Sequence, residues 1–130
     1  MTDFATRALP AAYDVLAPDG SEVRILLALA GGSMAHFSLP AGKVSRAVRH
    51  ATVEEIWYVL GGAAEFWRAR EGREAVVAVA AGTCLTIPVG TAFQFRASAD
   101  GPFSAVGVTI PPWPGPHEAV FVEGAWAATT

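Results

Sequence analysis

Apolar residues along this chain come in short blocks, and separators bearing Gly or Pro fall between them at fairly even spacing. The separators include "AGG", "LPAG", "LGG", "AAG", "PVG", "SADG" and "PPWPGP". Short blocks rich in β-branched and aromatic residues read as strands. They predict strands over Val23–Ala30, Ser33–Leu39, Glu55–Leu60, Ala63–Trp67, Ala75–Val79, Cys84–Ile87, Phe93–Ala97, Phe103–Thr109 and Ala119–Val122. Many short strands with turn signals between them predict an all-β sandwich or barrel. Only the opening "TDFATRALPAAYDVL" offers a helical turn, and Pro10 limits it.

Residues two apart on a strand share a face. Glu55, Trp57 and Val59 therefore point one way, and Glu54, Ile56, Tyr58 and Leu60 the other. Both faces are apolar beyond Glu55, which suits a strand within a double-layered β structure. One of the two glutamates must then point inward, where a carboxylate needs a partner, a metal or a proton. If the preceding segment is extended, Arg46, Val48 and His50 also share a face.

Composition narrows the function classes. A chain of 130 residues, 52% hydrophobic and 16% charged, is sized for one folded domain with one core. The net charge of -3 comes without any Lys/Arg run, so neither nucleic acid nor an anionic membrane has an electrostatic footprint to bind. Cys84 is the only cysteine, which rules out an intrachain disulfide and a cysteine-rich zinc site and fits a reducing compartment. The opening residues lack the layout of a signal peptide, and "ILLALAGG" is far short of a membrane span. A cytoplasmic location is the expectation.

Two stretches carry a family resemblance. The first reads Gly42, "KVSRA", Val48, Arg49, His50, "ATVE", Glu55, "IWYVLG", Gly62; the second reads Gly82, "TCLTI", Pro88, Val89, Gly90, "TA", Phe93, "QFR", Ala97. Together they resemble the paired motifs of the cupin superfamily, as found in small single-domain bacterial members. The family's first motif runs Gly, five residues, His-x-His, three or four residues, Glu, six residues, Gly. Its second runs Gly, five residues, Pro-x-Gly, two residues, His, three residues, Asn. Here the glycines and the proline keep register, and the match spans roughly residues 20 to 110.

The resemblance implies a single-domain jelly-roll β-barrel, a double-stranded β-helix, across residues 1–130, with a Pro-rich C-terminal segment over 111–130. Homodimers are common in the family, and the apolar outer face of "EIWYVLG" is compatible with one. The resemblance also implies a divalent transition metal held by the two histidines, the glutamate and the second-motif histidine. At those positions this chain has Val48, His50, Glu55 and Phe93. Val48 and Phe93 have no lone pair to give, so the metal site is degenerate, and two protein ligands rarely hold a first-row metal tightly. His36, were it inward, would make a two-His-one-carboxylate metal set with His50 and Glu55.

Three roles stand open for His50: a structural partner of Glu55, an acid/base paired with it, or a remnant metal ligand. Arg46 would pair with Glu55 or hold a substrate anion if buried, or point into water as a turn arginine. Val48, Trp57, Phe93 and Phe95 are either core or the lining of an apolar ligand pocket. Trp113 would close over the barrel mouth or pack at a subunit contact. His117 and Arg49 are expected at the surface, Glu54 at a solvated rim, and Gln94 and Arg96 on the solvent side. Cys84 is expected buried and inert.

Two function classes follow. One is an enzyme performing isomerase, cyclase or lyase proton-transfer chemistry through His50, Glu55 and Arg46, or metal-dependent oxygenase or isomerase chemistry with an atypical ligand set. The other is a non-catalytic module binding a small organic molecule against Trp57, Phe93 and Phe95.

Overall fold

The computed structural model describes residues 3–130 and is built almost wholly of strands. In chain order these are β1 (Val15–Leu16), β2 (Glu22–Leu29), β3 (Gly32–Leu39), β4 (Val48–His50), β5 (Glu54–Gly61), β6 (Ala63–Arg70), β7 (Arg73–Ala80), β8 (Cys84–Ile87), β9 (Ala92–Ala97), β10 (Phe103–Ile110) and β11 (Ala119–Phe121). A six-stranded sheet runs β1-β2-β3-β10-β5-β8, and a five-stranded sheet runs β11-β4-β9-β6-β7. All pairings are antiparallel. From β3 onward the chain passes from one sheet to the other at every step except the β6–β7 hairpin, so it winds around a common core as a jelly roll.

All nine sequence-predicted strands appear, with ends moved by a few residues. The hairpin between β6 and β7 is longer than expected because Glu71 and Gly72 both adopt positive φ, 53° and 76°. That is the backbone of a tight two-residue hairpin turn, whose twist matches the strands on either side. β1 and β4 are too short to leave a periodic signal. Among its described residues the opening segment forms no helix; it is tied down by Arg24, whose Nε donates to the Pro10 carbonyl (2.8 Å) and Nη2 to the Ala11 carbonyl (2.9 Å). The one helical turn among the described residues is a 3-10 turn at Pro116–Glu118, inside the Pro-rich segment.

Alternation places the core. Phe37, Ala105 and Val59 lie side by side on β3, β10 and β5, and Ala105 and Val59 are fully buried. The facing sheet contributes Val48, Phe66, Phe93 and Phe95. Trp57 is the hub: it stacks on Phe37 at 4.6 Å between centroids and meets Phe66, Phe93 and Phe95 edge-on. Gly107 makes room for this stack, since a Cβ there would lie 2.8 Å from Phe37 Cε2 and 3.0 Å from the Trp57 indole.

The C-terminal segment covers the outer side of the second sheet. Gln94 donates to the Ser45 and Trp126 carbonyls, both at 2.8 Å, and accepts from the Trp126 N–H at 3.0 Å. The Arg96 guanidinium lies over the Trp126 ring and pairs with Glu65. Gln94 thus points away from the interior, yet it is buried rather than solvated, because residues that alternation leaves outward are roofed by the tail.

Candidate functional site at one end of the barrel

His50 ends β4 and Glu55 lies near the start of β5, so the short loop Ala51–Val53 brings them together at one end of the barrel. The flanking register fixes both side chains: His50 is opposite Ala119, and Glu55 sits between Thr109 and Ile87. His50 Nδ1 stands 2.9 Å from Glu55 Oε2, and the side chains are only 7% and 2% exposed. The atoms are close but not aligned along the imidazole N–H direction, so neither has a directed hydrogen-bond partner. Glu55 Oε1 accepts from the Trp57 indole N–H at 3.2 Å, which ties the pair to the aromatic core.

Aromatic rings wall the histidine. Phe93 meets it edge-on at 5.2 Å from below, and Trp113 does so at 5.1 Å from the Pro-rich segment. Trp113 keeps 36% of its surface in solvent, so it is a cap and not core. Two anchors hold the capping strap. The Trp113 N–H donates to Ser33 Oγ at 3.0 Å, and Ser33 also bonds the Thr109 hydroxyl. Beyond the cap, the buried Glu118 carboxylate accepts from the Thr52 N–H (2.6 Å), the Thr52 hydroxyl (2.5 Å) and the Val53 N–H (2.7 Å). Glu118 therefore stitches the strap to the very loop that joins His50 to Glu55.

Burial pushes the Glu118 carboxyl up, but the Thr52 and Val53 hydrogen bonds and the nearby His50 outweigh it, leaving its pKa below the ordinary 4.5. A carboxylate with a depressed folded pKa stabilises fully above the unfolded value and loses that contribution as pH falls through the folded one. Glu118→Gln should cost about 1–3 kcal/mol in urea unfolding at pH 7. It should also remove part of the stability loss seen in the wild type below about pH 4.5. Equal stability of the two proteins at pH 7 would show that this anchor carries nothing.

The other sequence candidates disperse. His36 is in register with Val106 and, beyond it, Tyr58, on the opposite face of the sheet from Phe37, Ala105 and Val59. It cannot join His50 and Glu55 as a metal ligand; its position on β3 has the wrong parity. Burial, followed by the charge of Arg24, lowers its pKa and favours the neutral ring. Arg46 is exposed, donating from Nε to the Thr130 carbonyl at 3.1 Å with its guanidinium over Phe121. The parity linking Arg46 to His50 fails because β4 begins only at Val48, and both Ala47 and Val48 are buried.

Val48, Trp57, Phe93 and Phe95 fill the interior against one another instead of lining an apolar pocket. Cys84 is exposed, on the outward parity of β8 beside Tyr58. Arg49, Glu54 and His117 are exposed. Asp19 and Glu118 were not singled out by sequence reasoning. The Asp19 carboxyl is raised by burial against the pull of two hydrogen bonds from Ser21, and it feels the charges of Glu55 and His50. The turn sequence "PDGS" was its only signal.

The donor set does not fit the family's metal. His50 and Glu55 supply two ligands, and the register opposite them places Val48 directly across from Phe93, two hydrocarbon side chains. Among the described residues no cluster of three or more His, Cys, Asp or Glu side chains forms a metal site. An open groove of about 610 Å³, lined by Leu16, Lys43, Arg46, Phe121 and Thr130 among others, excludes His50 and Glu55.

Two antiparallel sheets wound as a double-stranded β-helix, with a histidine–glutamate pair at one end, define a barrel of the cupin class. The cupin domain model matches residues 35–110, and the chain belongs to that family. Solved structures agree on the fold. KdgF from Halomonas sp. is 16% identical over 85% of this chain and 97% of its own, with a TM-score of 0.67. A conserved Klebsiella pneumoniae protein with a double-stranded β-helix domain is 20% identical over 80% and 85%, with a TM-score of 0.65. The capsular polysaccharide assembling protein CapF from Staphylococcus aureus is 15% identical over 92% of this chain and 35% of its own, with a TM-score of 0.73. Among curated proteins none matches the sequence. Among the described residues no helix is long and apolar enough to cross a membrane.

Proposed function

We propose that this cupin binds a small organic molecule at the end of the barrel beneath Trp113 and moves a proton on it through His50, without a metal. The observation that carries the reading is the buried His50–Glu55 contact at 2.9 Å, capped by the Trp113 indole, a residue about one-third exposed. Glu55 occupies the Nδ1 side of the ring, leaving Nε2 as the nitrogen that exchanges a proton with the ligand. Trp57 holds the other carboxylate oxygen and keeps Glu55 from turning away. Because the aromatic interior is packed, the ligand reaches His50 from the side that Trp113 caps, with the indole moving aside to cover it, instead of entering between Phe93 and Phe95. Arg46 is exposed and engaged with Thr130 and Phe121, so it takes no part as an anion anchor in this proposal.

Proton transfer can be read without the natural substrate. Wild-type protein in D₂O should accelerate hydrogen–deuterium exchange at the acidic C–H of some members of a panel of 2-oxo acids and 1,3-diketones, followed by proton NMR. His50→Ala and Glu55→Ala should each bring the rate down by about 10²-fold or more, towards that of buffer. Exchange that survives both substitutions would defeat the proposal. The filled interior favours a second reading, a binding module without chemistry; compounds that shift the Trp113 resonance yet show no exchange would select it.

A further inference from the structure

Three arginines share one face of the hairpin formed by β6 and β7. Arg68 lies directly opposite Phe93 on β9, and Arg70 directly opposite Arg73 on β7. Residues two apart on a strand share a face, so Arg68 and Arg70 continue the inward row begun by the buried Ala64 and Phe66. Cross-strand partners also share a face, which adds Arg73. Like charges directly opposite one another weaken a hairpin. Among the described residues only Glu71, 3.9 Å from Arg70, comes within pairing distance of any of the three. The cluster works against the hairpin that carries it.

It stands at the same end of the barrel as the buried pair. Phe93, opposite Arg68, is the ring that meets His50 edge-on. Arg68 Nη1 reaches across to the other sheet and donates to the Thr86 carbonyl at 2.8 Å. Thr86 precedes Ile87, the residue opposite Glu55. Arg68 therefore sits between a neighbour of His50 and a neighbour of Glu55, with most of its donor fork unused. Thr91 is a second sign of a ligand. Its neighbour Ala92 pairs with both Arg49 and Ala69, and the Gly90 N–H donates to the His50 carbonyl at 3.2 Å. Thr91 thus lies between the strand that ends on His50 and the strand that ends on Arg70. It is buried, and its hydroxyl has no hydrogen-bond partner. A buried hydroxyl left unpaired is costly to the fold, and a ligand that accepts from it removes that cost.

We infer that the ligand of this site carries a carboxylate and that Arg68 receives it, with Arg70 and Arg73 drawing the anion to the barrel mouth. The inference rests on the His50–Glu55 reading for where the reacting carbon lies, and adds the substrate class: an anion such as a 2-oxo acid, in preference to its neutral counterparts. A planar guanidinium offers parallel N–H donors that match a carboxylate and fix its orientation as well as its position. Exposed cations of one sign around a mouth raise the local concentration of anions, an effect that salt screens.

Phenylpyruvate and its methyl ester test it, because they differ in little but the negative charge. Shifts of the Trp113 indole resonance report binding of each to the full chain, and loss of the C–H signal in D₂O reports exchange. The wild type should bind the acid about 10-fold or more tightly than the ester, and the preference should shrink as sodium chloride rises from about 20 to 300 mM. Arg68→Met should weaken acid binding by about 10-fold or more and leave the ester within about twofold, while Arg68→Lys recovers part of the loss. Arg70→Gln with Arg73→Gln, at the exposed hairpin tip, should weaken acid binding several-fold and stands in should Arg68→Met unfold, with circular dichroism confirming each fold. Arg49→Gln removes the same charge from the outward face at the same end and should change neither affinity. Equal affinity for acid and ester, no shift with either, or wild-type acid binding in the folded variant used would overturn the inference. An acid that binds through Arg68 without exchanging would defeat the proton-transfer reading alone. Exchange of acid and ester at equal rates and equal affinity would leave that reading standing and sink this one.

Discussion

Val48→His combined with Phe93→His is expected to turn this barrel into a metal-binding protein. The two side chains lie directly opposite one another across β4 and β9, both inward and each 1% exposed. Phe93 already meets the His50 ring at 5.2 Å. Imidazoles at 48 and 93 would therefore join His50 and Glu55 as a set of three nitrogens and one carboxylate, a donor set suited to zinc, cobalt, iron or manganese. Cobalt(II) titrated into the double variant should bind at least 100-fold more tightly than into the wild type and show visible absorption bands of a low-coordinate site. The substitutions remove a buried aromatic ring at a cost of about 2–4 kcal/mol, so thermal melts of the metal-free variant must first show a folded state. A folded double variant with no gain in affinity would mean that residues 48 and 93 do not converge on His50.

The fold was legible because its determinants are local. Gly/Pro separators mark the ends of the strands, and two-residue alternation in "EEIWYVLG" tells inward Glu55 from outward Glu54 without any knowledge of the partners. His50 and Glu55 were legible for a related reason: a short loop between two strands keeps spacing and space closely linked. His36 was harder, since alternation says which residues share a face but not which face is inside. Arg46 failed because parity was carried through Ser45–Ala47, where the backbone turns to bond Asp19 and Phe95 instead of continuing a strand. Glu118 and Trp113 were hidden by distance along the chain. Nothing local in "IPPWPGPHEA" says that its indole lands on a histidine over sixty positions earlier, or that its carboxylate caps the loop after that histidine.

The packed aromatics were read as core or as pocket, and the distinction rested on volumes that no pattern encodes. Gly107 decides much of it. By omitting a side chain under Phe37 and Trp57, it lets the indole lie flat against β10 and close the space that a larger residue would have forced open. The same packing explains why a site can persist at the end of the barrel while the middle is solid. Trp57 belongs to both regions, a core ring whose N–H reaches the carboxylate of the polar pair.

Replacement of Trp57 is accordingly expected to be the most damaging single change in the chain, and two substitutions separate its two roles. Trp57→Ala removes a fully buried indole from contact with Phe37, Phe66, Phe93 and Phe95. Such truncations cost about 3–5 kcal/mol, a large share of the stability of a domain this size. Trp57→Phe keeps most of the ring packing but leaves Glu55 Oε1 without its donor in a buried setting, a loss of about 1–3 kcal/mol. Urea unfolding should therefore rank wild type above Trp57→Phe and Trp57→Ala lowest. If Glu55 is held for its chemistry, Trp57→Phe should also slow exchange in D₂O by more than its stability loss accounts for, measured where both proteins are fully folded. A Trp57→Phe protein as stable as the wild type and equally active would show that the indole N–H does not position Glu55. Its burial would then be packing alone.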